Sequence, residues 1–374
     1  MKKLTAFCAF LCAVCILLSA CSSSRMFRRA NGILDKLESV ADHLAETGDI
    51  PADADVTDVP DIPDAPDAPD DPAEGKVLAR PDGAKVTSTP LFWKVSGNGF
   101  DGNFYLLGSI HTGPSDLNQY PDEVFDAFNS CDSLAVESDV LAMEEDMALQ
   151  MKCLKLWIYT DGTKISAHIP PQLYSKAVAL MRELGIYNTM MDYYTPVMWQ
   201  QLIDQTLAES TPFDYDAGAD RFFLAAAKKY GKKVIETENP VDTYAALAGL
   251  SEATQTLLLE ETVSEEYRDS YEEDLAELVN AWMEGNEDTI TSLLFTESDD
   301  TEYTAEENAC FDEYNRVLVD ERNAGMTDKA ASMLKAGKNV FFVVGLAHML
   351  GETGIVESLR SLGYTVEKVD YAAE

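Results

Sequence analysis

Two stretches of this chain share one design and lie far apart along it. Phe104-Tyr105-Leu106-Leu107 runs into Gly108-Ser109-Ile110-His111, and Val340-Phe341-Phe342-Val343-Val344 runs into Gly345-Leu346-Ala347-His348. Each is a short apolar run, a glycine, two residues and a histidine. A run of this length bounded by a glycine reads as a strand, and one without polar alternation reads as a strand buried on both faces. The glycine permits a sharp exit, which sets the histidine at the carboxyl edge of its strand. Open α/β sheets place their ligands at that edge. If the two strands are neighbours, the two ends of the chain close one sheet and both imidazoles converge.

The segments between them fit that frame. Residues 91–95 and 104–107 read as two strands joined across Gly97-Asn98-Gly99 and Asp101-Gly102, with further strands at 133–136, 233–236, 339–344 and 364–369. Helices are expected at 141–158, from Pro171 to about Leu184, at 196–208, 217–230, 240–262, 266–284 and 305–335, and near 353–361. The expected fold is therefore α/β of mixed α+β character. Its central sheet comes from N- and C-terminal strands and its middle is a long helical region. The folded domain is placed at residues 85–374.

What precedes it reads as export and tethering. Lys2 and Lys3 lead an apolar run from Leu4 to Leu18, followed by Ser19, Ala20 and Cys21. That is the pattern of a secretory signal over residues 1–20, too short for a good membrane span. Leu18-Ser19-Ala20-Cys21 resembles the bacterial lipobox, which implies cleavage before Cys21 and acylation (palmitate or a similar chain) of its thiol. Multiple acyl chains give stable anchoring, in the cell membrane or an outer membrane. An ordinary signal peptide with an incidental cysteine is the competing reading. Residues 21–47 form an anchor-proximal segment whose charges cancel. Residues 48–75 hold nine Asp, one Glu, six Pro and no Lys or Arg. Proline-fixed φ and like-charge repulsion make this an extended, disordered stalk. A calcium-binding Asp repeat would need turn glycines and a bidentate Glu, which are missing.

The formal net charge is -38. Most of it follows the stalk, so the folded surface itself is acidic. This excludes nucleic acid as a partner, because phosphate backbones require Lys and Arg. Only Cys131, Cys153 and Cys310 follow Cys21, an odd number without paired spacing, so no disulfide framework is expected. No His-Glu-x-x-His, Gly-x-Ser-x-Gly or phosphate-binding loop occurs, and Gly97-x-Gly99-x-x-Gly102 precedes a strand where a dinucleotide fingerprint precedes a helix.

The chemistry then rests on few residues. Of four histidines, His111 and His348 occupy the matching Gly-x-x-His settings, while His43 lies before the stalk and His168 precedes Pro170. Two neutral imidazoles with a carboxylate suit a divalent transition metal, and manganese, cobalt and zinc are all compatible. Glu137 follows Leu134-Ala135-Val136 and Glu236 follows Val234-Ile235, so both belong at strand ends. Glu238 is less well placed. Gly108 and Gly345 support the two histidines, and Tyr215 and Asp220 lie in a stretch that opens a helix.

The set FYLLGSIH, DSLAVESD, DYDAGADRFFLAAAKKYGKKVIETENP, VLVDERNAGM and FFVVGLAHMLGETGIVESLRSLGYTVEKV, in this order over residues 91–369, resembles the TraB/GumN family, which is related to the Tiki metalloproteases. The resemblance implies a metal-dependent hydrolase, in Tiki relatives a peptidase with a peptide or protein substrate. It makes His111 and His348 the motif histidines and Glu137 the acidic residue, as ligand or base. It matches Arg322 and Asn323 to the Glu-Arg-Asn segment, with Arg322 an oxyanion donor or an ion-pair partner. The alternative is a non-enzymatic lipoprotein of the same fold that captures a peptide or signal.

Overall fold

The computed structural model describes residues 77–295 and 303–372. The signal peptide, Cys21, the anchor-proximal segment and the stalk lie outside the described residues. Among those described, no helix is long and apolar enough to cross a membrane.

Six strands form one mixed sheet: β1 (Phe92–Ser96), β2 (Phe104–Ser109), β3 (Ser133–Val136), β4 (Lys233–Glu236), β5 (Val340–Gly345) and β6 (Thr365–Lys368), in the order β4-β3-β5-β2-β1-β6. β5 pairs parallel with both β2 and β3, and β3 pairs parallel with β4. β1 runs antiparallel between β2 and β6. The sheet is thus closed by the two ends of the folded chain, and the last strand of the motif pair lies directly beside the first. Every residue of β5 and β3 is buried, as expected for central parallel strands covered on both faces. Phe341 of β5 packs against Phe92, Phe128 and Phe223, which ties the sheet to helices Asp122–Ser130 and Ala219–Lys229.

The middle of the chain is helical. Pro171, Pro196 and Pro240 each open a helix at the position where the missing N–H costs nothing. Two expected helices are each two. The 240–262 stretch divides into Pro240–Ala248 and Glu252–Thr262, because the Ser251 side chain accepts the Thr254 N–H and starts a new helix. Residues 141–158 divide in the same way: Asp146 accepts the Leu149 N–H between Val140–Glu145 and Met147–Leu154. Helices Asp122–Ser130 and Glu287–Phe295 were not expected. The helical region grips the sheet near the first motif, where Trp282 of helix Glu265–Glu284 donates to the Gly108 carbonyl at 2.8 Å.

Candidate functional site at the carboxyl edge of the sheet

The register shows why three side chains meet. Ser109 of β2 pairs with Gly345 of β5, and Val136 of β3 pairs with Val343 of β5. Three adjacent strands therefore end side by side, and the residues just beyond them are His111, Glu137 and His348. His348 rides on a single turn, Leu346–Met349, that follows β5 directly. Gly108 allows this turn to close, since a Cβ there would stand 2.4 Å from Leu346 Cδ1 and 3.2 Å from its Cα. Gly345 does more. A Cβ on it would lie 3.1 Å from Glu137 Oε1, 3.2 Å from His111 Nε2 and 3.6 Å from His348 Cδ2. The two histidines and the glutamate are gathered over the one residue that has no side chain.

His348 and Glu137 are held from behind. His348 is 4 % exposed, and its Nδ1 lies 2.7 Å from Asn323 Oδ1. An amide oxygen only accepts, so Nδ1 carries the proton and Nε2 is bare. Nε2 faces Glu137 Oε1 at 3.9 Å. Burial, with the Arg322 cation nearby, pushes the His348 imidazole down to about 3, so it is neutral at physiological pH. Glu137 Oε1 accepts the Gly345 N–H at 2.7 Å and Oε2 accepts from Arg322 Nη2 at 2.6 Å. Burial alone would raise its carboxyl, but Arg322, the histidines and the Gly345 N–H outweigh it and bring it to about 2. Because His348 is neutral above about pH 3, Arg322 is the cation that keeps Glu137 ionised.

Arg322 is committed on every edge. Nε donates to Glu238 Oε1 at 2.9 Å, Nη2 to Glu238 Oε2 at 2.6 Å, and Nη1 to the Leu318 carbonyl at 3.2 Å. Its side chain is 9 % exposed. Of the two roles expected for it, the guanidinium takes the ion-pair role, joining Glu137 to Glu238. Arg322 and Asn323 follow a π turn, Arg316–Asp320, inserted between helices Ala305–Asn315 and Glu321–Lys335. Such turns re-aim the helix face that follows, and they recur at functional sites.

The other candidate residues fall elsewhere. Glu236 is exposed, and its carboxylate accepts the Asp139 N–H at 3.0 Å, away from the histidines. Glu236 is the last residue of β4, whereas Glu238 lies two residues beyond the strand end, where the chain has left the sheet and its side chain reaches Arg322. The Glu238 main-chain N–H donates to the Glu137 carbonyl at 2.9 Å. Tyr215 stacks under the Arg221 guanidinium at 4.7 Å and does not join the cluster. Asp214 caps the turn Tyr215–Ala217. His168 lies flat on Tyr159, 4.0 Å between ring centres, with Thr163 and Glu252 on its nitrogens. Cys131, Cys153 and Cys310 are free thiols.

The donors fit a divalent metal in kind. His111 Nε2 is buried without a hydrogen-bond partner, Gly345 leaves the space between the donors open, and imidazole with carboxylate suits borderline divalent ions. Ligand atoms about 2.1 Å from one ion stand roughly 3.4 Å apart in a tetrahedron, so His348 Nε2 and Glu137 Oε1 at 3.9 Å are slightly wide. Among the described residues, no group of three or more His, Cys, Asp or Glu side chains is placed so as to hold a metal ion. Further partnerless buried atoms surround the cluster: Ser109 Oγ, Ser138 Oγ and Asn323 Nδ2 among the described residues. Buried polar groups are seldom left so, and their grouping at one sheet edge marks a place that receives polar matter.

Comparison with known proteins finds a match within the folded region. The family model described as TraB/PrgY/gumN matches residues 91–368. The uncharacterized protein YbaP of Escherichia coli (strain K12) is 26 % identical over 263 residues, covering 69 % of this chain and 88 % of that protein. Its counterpart in Shigella flexneri is 25 % identical over 261 residues, covering 68 % and 87 %. No solved structure matches the chain.

Proposed function

The chain belongs to the TraB/PrgY/gumN family, and from that premise we propose that it is a metal-dependent hydrolase acting on peptide bonds outside the cytoplasm, anchored through lipid on Cys21. The observation that carries the reading is the convergence of His111 Nε2, Glu137 Oε1 and His348 over Gly345. A divalent ion bound there would polarise a carbonyl and lower the pKa of its water towards neutrality. His111 and His348 offer bare or free Nε2 atoms to hold it. Glu137, kept ionised by Arg322, supplies the negative charge and fits the part of ligand better than that of base, since a carboxyl at about 2 takes up protons poorly near neutral pH. Arg322 and Asn323 orient the ligands. Burial of the histidines to 7 % and 4 % exposure keeps bulk water from the donors.

One observation favours the second reading, a peptide- or signal-binding protein of the same fold: both Glu137 oxygens already have partners. The test is hydrolysis of a peptide library by the purified protein with manganese, cobalt or zinc, beside His111→Ala and His348→Ala. Metal-dependent cleavage abolished by both changes supports the hydrolase. Peptide binding without turnover under all three metals supports the binding protein. For the anchor, incorporation of an alkynyl fatty acid in cells should vanish in Cys21→Ser.

A further inference from the structure

Asp220 is a residue that the helix it belongs to does not explain. It stands in the first turn of Ala219–Lys229, where a carboxylate ordinarily faces water and favours the helix N-terminus. Here it is 7 % exposed, and its Oδ1 has no hydrogen-bond donor among the described residues. A buried carboxylate oxygen without a donor is costly, more so than a neutral polar group left in the same state. Its close polar neighbour is His111, whose Nδ1 lies 3.0 Å away without the alignment of a hydrogen bond. The approach is built into the backbone. The Ala219 N–H donates to the Ile110 carbonyl at 2.8 Å, and a Cβ on Gly218 would stand 2.7 Å from the His111 carbonyl oxygen. The helix start is therefore seated directly on the His111 segment, and only a residue without a side chain at 218 lets it seat so closely.

Resting on the metal-site reading above, we propose that Asp220 is the positioning residue of His111: its carboxylate accepts from Nδ1–H and thereby fixes the tautomer that presents a bare Nε2 to the space over Gly345. His111 then has the same arrangement that Asn323 gives His348, but with a carboxylate in place of an amide. A carboxylate behind a ligating imidazole fixes the ring and raises its basicity, and loss of such a partner costs about 10–100-fold in metal affinity. No metal is needed for the tautomer itself.

The experiment is long-range ¹⁵N–¹H NMR of the histidine rings in metal-free protein, followed by cobalt titration. The proposal requires His111 to carry its proton on Nδ1 in the wild type. Asp220→Ala should release this preference, and cobalt affinity should fall about 10–100-fold, while Asp220→Asn, which keeps the shape and one acceptor oxygen, should fall between. Should Asp220→Ala unfold, the wild-type spectrum and Asp220→Asn decide the matter. A proton on Nε2 in the wild type overturns the proposal. So does an unchanged tautomer and cobalt affinity in a folded Asp220→Ala. Absence of cobalt binding by the wild type sinks the metal-site reading and leaves the tautomer result to judge Asp220 separately.

Discussion

Replacing Arg322 with Met should expose how the site is held together. The guanidinium is buried and bridges two carboxylates, Glu137 and Glu238, at 2.6 Å each. Met keeps much of the side chain's volume and removes the charge, leaving two buried carboxylates together without a cation. Breaking a buried pair this way costs about 3–5 kcal/mol. At roughly 2 °C per kcal/mol for a large domain, the midpoint of thermal unfolding should fall by about 6–10 °C at neutral pH. The dependence on pH is the sharper signature. In the wild type Glu137 lies at about 2 against an ordinary 4.5, so its contribution is present above pH 4.5 and is lost as pH falls towards 2. Burial already holds the Glu238 carboxyl above the usual range; in the variant it rises further, and Glu137, left with the Gly345 N–H but without the guanidinium, rises as well. The folded state then holds protons that the unfolded state releases, and stability falls as pH rises past 4.5. The deficit should therefore be small near pH 4 and full at pH 7, read by circular dichroism melts across that range. Adding Glu238→Gln to the variant should recover part of it. A deficit below about 1 kcal/mol at pH 7, or one that does not change with pH, would refute the reasoning.

Three other outcomes follow from the same geometry. Gly345→Ala has a backbone of φ -49°, ψ 138°, which alanine adopts freely, so the melt should shift little while cobalt affinity drops at least tenfold, because the methyl enters the space between Glu137 Oε1 and His111 Nε2. Burial of Asp204 raises its carboxyl to about 7 despite bonds from Tyr267 and Gln200; its contribution is fully present below pH 3.8 and lost as pH rises through 7. Asp204→Asn should thus flatten the stability curve between pH 4 and 7, by a ceiling of about 4 kcal/mol measured by urea unfolding. His348 is neutral down to about pH 3 when folded and titrates at 6.5 when unfolded, so metal-free wild type should lose stability on acidification from pH 6.5, and His348→Leu should lose less.

The sheet was legible because its central strands carry uninterrupted apolar runs that end in glycine, a signal that survives without any long-range knowledge. The pairing of β2 with β5 was inferred from their matching motifs rather than from either strand. Helix boundaries inside the middle region depended on caps: Ser251 and Asp146 each begin a helix where periodicity alone continues one. The site was legible where a residue follows its strand immediately, as with His111 and Glu137. It was misplaced at the end of β4, where Glu236 stays exposed within the strand and Glu238, beyond the strand end, reaches Arg322. Asp220 was visible only as part of a helix start, since nothing local says that the start is seated on His111. The commitment of Arg322 to two carboxylates also could not be read, because 84 and 185 positions separate the partners.

The measurement that bears most directly on the central claim is anomalous diffraction from crystals of the protein soaked in cobalt or zinc. The account predicts one ion at the carboxyl edge of the sheet, about 2.0–2.2 Å from His111 Nε2, His348 Nε2 and a Glu137 oxygen. An ion bound elsewhere with these three side chains unmoved, or no ion at a concentration that supports any hydrolysis, would contradict it.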